Sequence, residues 1–182
     1  LAPDVSLSTI AKSTAGFTGA DLENLTNEAA LIAARKEKKA ITKADIEEAV
    51  IKIIAGPEKK SRVVTQEERR TVAYHEAGHA VVTYYLPSQD SVHQVTIIPH
   101  GGAGGMTIHL PSKEPSLIDV NAERIEDEIK VCMGGRVAEE LIIGKGSAGA
   151  VSDLQRSTKI AKDMVTKYGL SKLGLVVYAD QN

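Results

Sequence analysis

The sequence lacks the features that mark several large classes of protein. Its 182 residues include no Trp, one Phe and a single cysteine, Cys132. One cysteine cannot form an internal disulfide, which excludes a disulfide-stapled fold and suits a reducing compartment. No apolar run reaches the roughly 18 residues that a membrane span needs, and we recognise no signal peptide within these 182 residues. We therefore expect these 182 residues themselves to be soluble.

The chain also has no excess of positive charge and no phosphate-binding loop. It carries 22 basic and 24 acidic residues, for a net charge of -2, which argues against a nucleic-acid partner. The pattern G-x-x-x-x-G-K-[ST] is absent, so the chain alone is not expected to hydrolyse ATP. The glycine-rich segment 101–105 does not fit a dinucleotide-binding fingerprint, because Thr107 stands where a third glycine is needed. We interpret that segment as a hairpin turn.

Scarce aromatic residues leave Leu, Ile, Val and Ala to build the core, which favours a mainly helical fold. Residues 1–56 show only helical patterns, with Thr18–Asp21 and Thr42–Asp45 as predicted helix starts. In the first of these helices, apolar residues recur on one face, which we expect to be buried: Leu22, Leu25, Ala29 and Ile32. We predict a small helical bundle over 1–56, a linker at 57–62 and a second domain over 63–182.

The second domain is predicted to be helix-rich with a small β-hairpin, so that the whole chain is mainly α in an α+β arrangement. Its first helix begins at a Thr65–Glu68 capping box and stops before Pro87. We expect Gly134-Gly135 to mark close helix packing, and Leu141 to lie on the apolar side of its helix. The remaining predicted elements are strands at 92–98 and 106–110, a helix at 121–143, and a last helix that starts at a Ser152–Gln155 capping box and ends at Gly169.

Residues 75–79 read His-Glu-Ala-Gly-His. Two imidazoles four residues apart on a helix share one face and can ligate the same metal ion. Glu76 stands beside them and can take a proton from water and return it to a leaving amine, which is the arrangement of a zinc metallopeptidase. A buried structural zinc and a chance match are the alternatives. The motif predicts zinc ligands at His75 and His79 and an acid/base at Glu76.

A catalytic zinc ion usually has three protein ligands, so a third ligand is needed. The continuation H-x-x-G-x-x-H fails, because Val82 and Tyr85 occupy its last two positions. Asp153 is one candidate, since the first turn of a helix favours an ionised carboxylate. The residues alone leave this open among Asp153 and the other candidates, which are His93, His100, His109, Glu139 and Glu140.

Several motifs, in their order and spacing, resemble known families. The start of the chain is similar to the helical lid of an AAA ATPase, in Gly16-Phe17-Thr18-Gly19-Ala20-Asp21-Leu22 and Asn27-Glu28-Ala29-Ala30. The rest resembles the FtsH family of ATP-dependent zinc proteases, in Ile54 to Arg62, Tyr74 to His79 and Gly134-Gly135-Arg136-Val137-Ala138-Glu139-Glu140.

The resemblance implies that residues 1–56 are an AAA lid and that residues 63–182 are a zincin-type peptidase domain, cut before its last helices. It implies that Asp153 joins His75 and His79 as a zinc ligand, with Glu76 as the catalytic acid/base. It further implies a homo-hexamer that degrades unfolded and membrane-protein polypeptides, with ATP bound by a part absent here. Absent N-terminal segments would anchor it, with this domain on the cytoplasmic side of a bacterial plasma membrane or an equivalent organelle membrane. The alternative is a non-catalytic scaffold or adaptor that keeps a structural zinc site.

Overall fold

The computed structural model describes residues 1–59, 63–111 and 116–178, apart from the side chains of Lys12 and Leu117. The chain forms two compact units. Described residues of the first are 1–59, 63, 98–106, 110 and 111, and those of the second are 64–97, 107–109 and 116–178. Part of the predicted linker, residues 60–62, lies outside the described residues. The domain boundaries at 56 and 63 stay a prediction.

The first unit contains three helices, α1 (Leu7–Ser13), α2 (Gly19–Arg35) and α3 (Lys43–Ala55). Both predicted helix starts are confirmed, because the backbone N–H groups of Thr18 and Thr42 donate to carboxylates three residues later. Leu22 departs from the predicted buried face and is 39% exposed. The buried core of α2 and α3 consists of Leu25, Ala29, Ile32, Ile46, Ala49 and Val50.

The second unit is built around three further helices, α4 (Gln66–Tyr84), α5 (Ala122–Ala138) and α6 (Val151–Thr166), in which α5 packs against both α4 and α6. Two short strands, β1 (Val92–Thr96) and β2 (Met106–His109), form an antiparallel pair. The mainly helical fold with a small sheet is as predicted. Both strands end earlier than predicted, and Pro99 beyond β1 has no N–H to continue a ladder.

The predicted helix over 121–143 is wrong in its last part. Regular α-helix ends at Ala138, and Glu139–Ile143 form a π-helical turn that closes at Gly144 in the left-handed conformation. This change of winding turns Glu139 inward, with 1% of its surface exposed, and leaves Leu141 77% exposed. The predicted burial of Leu141 is therefore wrong.

The predicted capping box at Ser152 and Gln155 is also wrong. Ala148–Ala150 form a 3-10 turn, capped by the Ser147 hydroxyl, which leads directly into α6. Ser152 is consequently already inside the helix. No helix among the described residues combines the length and the apolar character that crossing a bilayer requires.

Candidate metal centre

Helix α4 presents the two motif histidines on one face. Its start is fixed by the predicted capping box, in which Thr65 N–H donates to Glu68 Oε2 at 2.8 Å and Glu68 N–H donates to Thr65 Oγ1 at 3.1 Å. One turn separates His75 from His79, and their Nε2 atoms lie 3.0 Å apart. Both side chains are largely buried, at 12% and 10% exposure.

Asp153, in the first turn of α6, completes a cluster with these histidines. Its Oδ2 lies 3.2 Å from His75 Nε2 and 3.5 Å from His79 Nε2. Ligand atoms bound to one tetrahedral zinc ion at about 2.0–2.1 Å stand roughly 3.3–3.4 Å apart, so these spacings fit that ion closely. Among the described residues, these three form the group of His, Cys, Asp and Glu side chains that could hold a metal ion.

The other ring nitrogen of each histidine is held by α5 or by the turn that follows it. His75 Nδ1 lies 2.7 Å from Glu139 Oε1, and His79 Nδ1 lies 2.7 Å from the carbonyl oxygen of Val131. Both partners are acceptors, so each Nδ1 carries the proton and each Nε2 presents its lone pair to the cluster. The rings are therefore oriented as ligands by their second contacts.

Glu139 holds the His75 ring in place, and its carboxylate oxygens are not among the three clustered ligand atoms. Its Oε2 accepts a hydrogen bond from the Ser147 N–H at 2.5 Å, and Ser147 Oγ lies 3.1 Å from Oε1. The carboxylate is thus occupied on both oxygens by Ser147 and His75. The π-helical turn provides this geometry, as such turns often do at functional sites.

Glu76 lies beside the cluster and is 7% exposed. Burial raises the pKa of its carboxyl above the ordinary value, against the opposing effects of the Thr107 hydrogen bond and of the two histidines. Thr107 Oγ1 donates to Glu76 Oε2 over 2.8 Å. A carboxylate with a raised pKa in a largely buried site is suited to accept and return a proton near neutral pH.

Asp153 is ionised at neutral pH despite its position. Burial opposes ionisation, but contacts with the Nε2 atoms of His75 and His79, which donate to Oδ2 when the rings are protonated, outweigh it and hold the pKa of Asp153 below its usual range. The same contacts raise the pKa of both histidines against the effect of burial. A metal ion would take the place of the proton at each Nε2, so the cluster offers one carboxylate oxygen and two imidazole nitrogens, a donor set that suits Zn²⁺.

Glycines let the helices approach the cluster closely. A Cβ atom on Gly78 would stand 2.3 Å from the carbonyl oxygen of Gly134, and one on Gly135 would stand 2.6 Å from ring atoms of His75 and His79. The predicted close packing at Gly134-Gly135 is confirmed. Space at this crossing is available only to residues without a side chain.

The remaining candidates for the third ligand have other partners or are exposed. His109 Nε2 is 3.0 Å from Thr83 Oγ1, His100 Nδ1 is 3.0 Å from the Gly56 carbonyl oxygen, and His93 is exposed on β1. Glu140 pairs with Arg136 at 2.6 Å. Sequence reasoning missed Thr107, Ser147 and the Val131 carbonyl, because hydroxyl and backbone partners have no characteristic spacing in a sequence.

The chain is similar to known proteins over its whole length. The model of the AAA+ lid domain matches residues 4–48, and that of peptidase family M41 matches residues 62–182. ATP-dependent zinc metalloprotease FtsH of Caldicellulosiruptor bescii is 54% identical over 182 residues, which are 100% of this chain and 29% of that protein. ATP-dependent zinc metalloprotease FtsH 1 of Thermoanaerobacter sp. is 52% identical over 183 residues, covering 100% of this chain and 30% of the relative.

This chain therefore spans less than a third of the length of these relatives. The family match extends over most of the sequence and contains the whole cluster of His75, His79 and Asp153 together with Glu76. The chain belongs to peptidase family M41.

Proposed function

We propose that this chain contains the proteolytic site of a zinc-dependent endopeptidase. His75, His79 and Asp153 would hold the zinc ion, and Glu76 would act as the catalytic acid/base. The observation that carries the proposal is the meeting of three ligand atoms within 4.8 Å of one another, contributed by two helices and next to a buried glutamate. Relatives of about 50% identity are named zinc metalloproteases, which supports the same chemistry.

Zinc, when bound here, supplies Lewis acidity that polarises a peptide carbonyl and makes water a better nucleophile at neutral pH. Glu76 accepts one proton from the attacking water while the water oxygen adds to the carbonyl carbon. Glu76 then gives that proton to the amide nitrogen as the C–N bond breaks, so that a carboxylic acid and an amine leave. Glu76 ends each cycle in its starting state.

The supporting residues keep the proposed ligands in place. Glu139 and the Val131 carbonyl each accept a hydrogen bond from one imidazole, which fixes the ring that would face the metal. The start of α6 adds a favourable helix dipole to the ionised Asp153. We expect a site held in this way to change little in shape when the ion binds.

We further propose that the chain works within a larger ATP-driven protease that acts on unfolded and membrane-protein polypeptides. The lid match at 4–48 and the words "ATP-dependent" in the names of the relatives support this. Assembly as a homo-hexamer and membrane anchoring, with this domain on the cytoplasmic side, come from the FtsH resemblance and belong to this proposal. Both properties would be contributed by the complete protein.

A scaffold with a structural zinc is the rival function. Structural zinc sites are usually closed by four protein ligands, whereas catalytic sites keep one position open. Within the described part of the chain, three such ligands surround this position, and the glutamate beside them hydrogen-bonds to Thr107 through one carboxylate oxygen. The arrangement favours catalysis.

The decisive experiment is Glu76→Gln. The 182 residues would replace the matching segment of the Caldicellulosiruptor bescii relative, and hydrolysis of an unfolded protein would be measured with ATP present. We expect the rate to fall by about 100- to 10,000-fold, because Gln cannot accept the proton, while zinc content is unchanged. The control is Glu67→Gln, the same change on α4 at a side chain that is 77% exposed. Undiminished hydrolysis by Glu76→Gln would overturn the proposed function.

A further inference from the structure

Thr107 places one hydroxyl group between two oxygen atoms of Glu76. Its Oγ1 lies 2.8 Å from the carboxylate Oε2 and 3.0 Å from the backbone carbonyl oxygen of the same residue. Thr107 belongs to β2 and is 31 residues from Glu76 in sequence. A side chain from the sheet therefore reaches the glutamate of helix α4.

The hydroxyl has a single proton, so it donates to one of these oxygens at a time. An ionised carboxylate is the stronger acceptor, and hydrogen bonds to charged groups are shorter and stronger than neutral ones. The carbonyl of Glu76 is in the middle of α4, where helical hydrogen bonding already uses it. Oε2 is accordingly the preferred acceptor, and the carbonyl oxygen keeps the hydroxyl close to the backbone of α4.

This contact leaves the two carboxylate oxygens of Glu76 different from one another. Oε2 is held by Thr107, while Oε1 has no hydrogen-bond partner among the residues that the structure describes. A glutamate side chain has several rotatable bonds and loses considerable entropy when it is fixed in one orientation. The Thr107 hydroxyl offsets part of that cost at the residue that must meet the reacting water.

We propose that Thr107 is a positioning residue for the peptidase reaction: by holding Oε2 it turns Oε1 of Glu76 toward the reacting water. The inference rests on the proposed function of Glu76. It assigns to the sheet a part in the chemistry, because β2 and not α4 sets the orientation of the carboxylate. Thr107 itself exchanges no proton with the substrate.

The test compares Thr107→Val, which removes the hydroxyl and keeps the shape, with Thr107→Ser, which keeps the hydroxyl. In the context of the Caldicellulosiruptor bescii relative, we expect Thr107→Val to lower kcat by about 10- to 100-fold, as loss of a hydrogen bond to a charged group does. KM and zinc content should stay unchanged, and Thr107→Ser should keep kcat within about threefold of the unmodified protein. Equal loss in both variants, or none in Thr107→Val, would show that the hydroxyl does not position Glu76.

Thr83→Val is the matched control. It removes a buried hydroxyl from the same unit, one turn beyond His79, whose partner is His109 and not Glu76. We expect it to leave kcat within about threefold, since its hydrogen bond does not involve the acid/base. In the Glu76→Gln background, Thr107→Val should cause no further loss, because the group it positions is gone. An undiminished further loss there would assign Thr107 a different role and overturn the proposal.

Crystal structures of the zinc-loaded 182-residue chain separate this inference from the proposed function. We expect the Glu76 carboxylate to turn away from its unmodified position in Thr107→Val and to keep that position in Thr107→Ser. A carboxylate that stays in place without the hydroxyl contradicts the inference even when the protease is active. If Thr107→Val fails to fold, Thr107→Ala removes the same hydroxyl and is judged by the same two criteria. An unmodified protein that binds zinc but hydrolyses nothing contradicts the proposed function, while the structures still decide what holds Glu76.

Discussion

Gly135 lies so close to His79 that a Cβ atom built on its backbone would stand 2.6 Å from the Nε2 of that histidine. The substitution Gly135→Ala should therefore push the imidazoles out of line with Asp153. Overpacking of this kind costs about 1–3 kcal/mol, so we expect zinc affinity to fall by about 10- to 100-fold. Competition with a chromophoric chelator measures this affinity.

Gly19→Ala is the control for that prediction. Gly19 is also in a helix, but a Cβ atom there would meet nothing within 4 Å. The Gly19→Ala variant should therefore bind zinc with the same affinity as the unmodified chain. Equal affinities for Gly135→Ala and Gly19→Ala would mean that the α5 backbone does not press on the imidazoles.

Glu139→Gln tests the support behind His75. The amide keeps the size of the side chain but removes the negative charge that accepts the Nδ1 proton at 2.7 Å. Loss of such a partner typically weakens metal binding by about 10- to 100-fold, and we expect that loss here. The control is Glu140→Gln, at the next residue along the chain. Glu140 pairs with Arg136 and not with either histidine, so this change should leave zinc affinity unchanged. Isothermal titration of both variants with zinc makes the comparison.

Zinc should stabilise the second unit through Asp153. A ligand present at 100 times its Kd adds about 2.7 kcal/mol to the free energy of unfolding, so zinc should raise Tm and a chelator should lower it again. In Asp153→Asn we expect most of this response to vanish. Asp163→Asn, in the same helix and paired with Lys159 and Lys167, should keep it. A zinc-dependent Tm that survives Asp153→Asn would point to a different third ligand.

Asp45 should make the first unit sensitive to acid. Its carboxylate is fully buried, and hydrogen bonds from Lys38 and then from Thr42 hold its pKa well below the ordinary value. Because the folded-state pKa is the lower one, the stabilisation is complete above the usual aspartate pKa of about 4 and is lost as pH falls toward the folded-state value. Hydrogen exchange of α2 and α3 amides between neutral pH and pH 3 measures this.

Asp45→Asn is the matched variant for the acid response. It should show less protection at neutral pH and a weaker change with acid, because the titrating group is gone. Exchange is read from α2 and α3 separately because Asp153 in the other unit also has a lowered pKa. An unchanged acid response in Asp45→Asn would assign it to other carboxylates.

The sequence predicted those parts of the site that depend on local spacing. His75 and His79 share a helix face because four residues make about one turn, and Thr65 with Glu68 fixed where that helix begins. Asp153 needed the family resemblance, because spacing alone left it among several candidates. The structure places it within 3.5 Å of both histidines.

What the sequence did not predict depends on winding and on tertiary contacts. A π-helical turn accommodates the same residues as an α-helix, so nothing in its pattern showed that Glu139 would turn inward and Leu141 outward. Ser152 fits a helix start equally well, but the preceding 3-10 turn had already begun the helix. Thr107 approaches Glu76 only because β2 packs there, and this contact leaves no trace in sequence spacing.

The two contacts that hold the imidazoles from behind have a consequence for the evolution of this site. Val131 and Glu139 are about two turns apart, so one inserted residue between them would rotate Glu139 by about 100° relative to Val131. His-Glu-Ala-Gly-His would be unchanged in such a chain, yet His75 would have lost its partner. We therefore expect relatives to vary in the length of their loops but not in the number of residues between Val131 and Glu139. That number decides whether both imidazoles keep their hydrogen-bond acceptors.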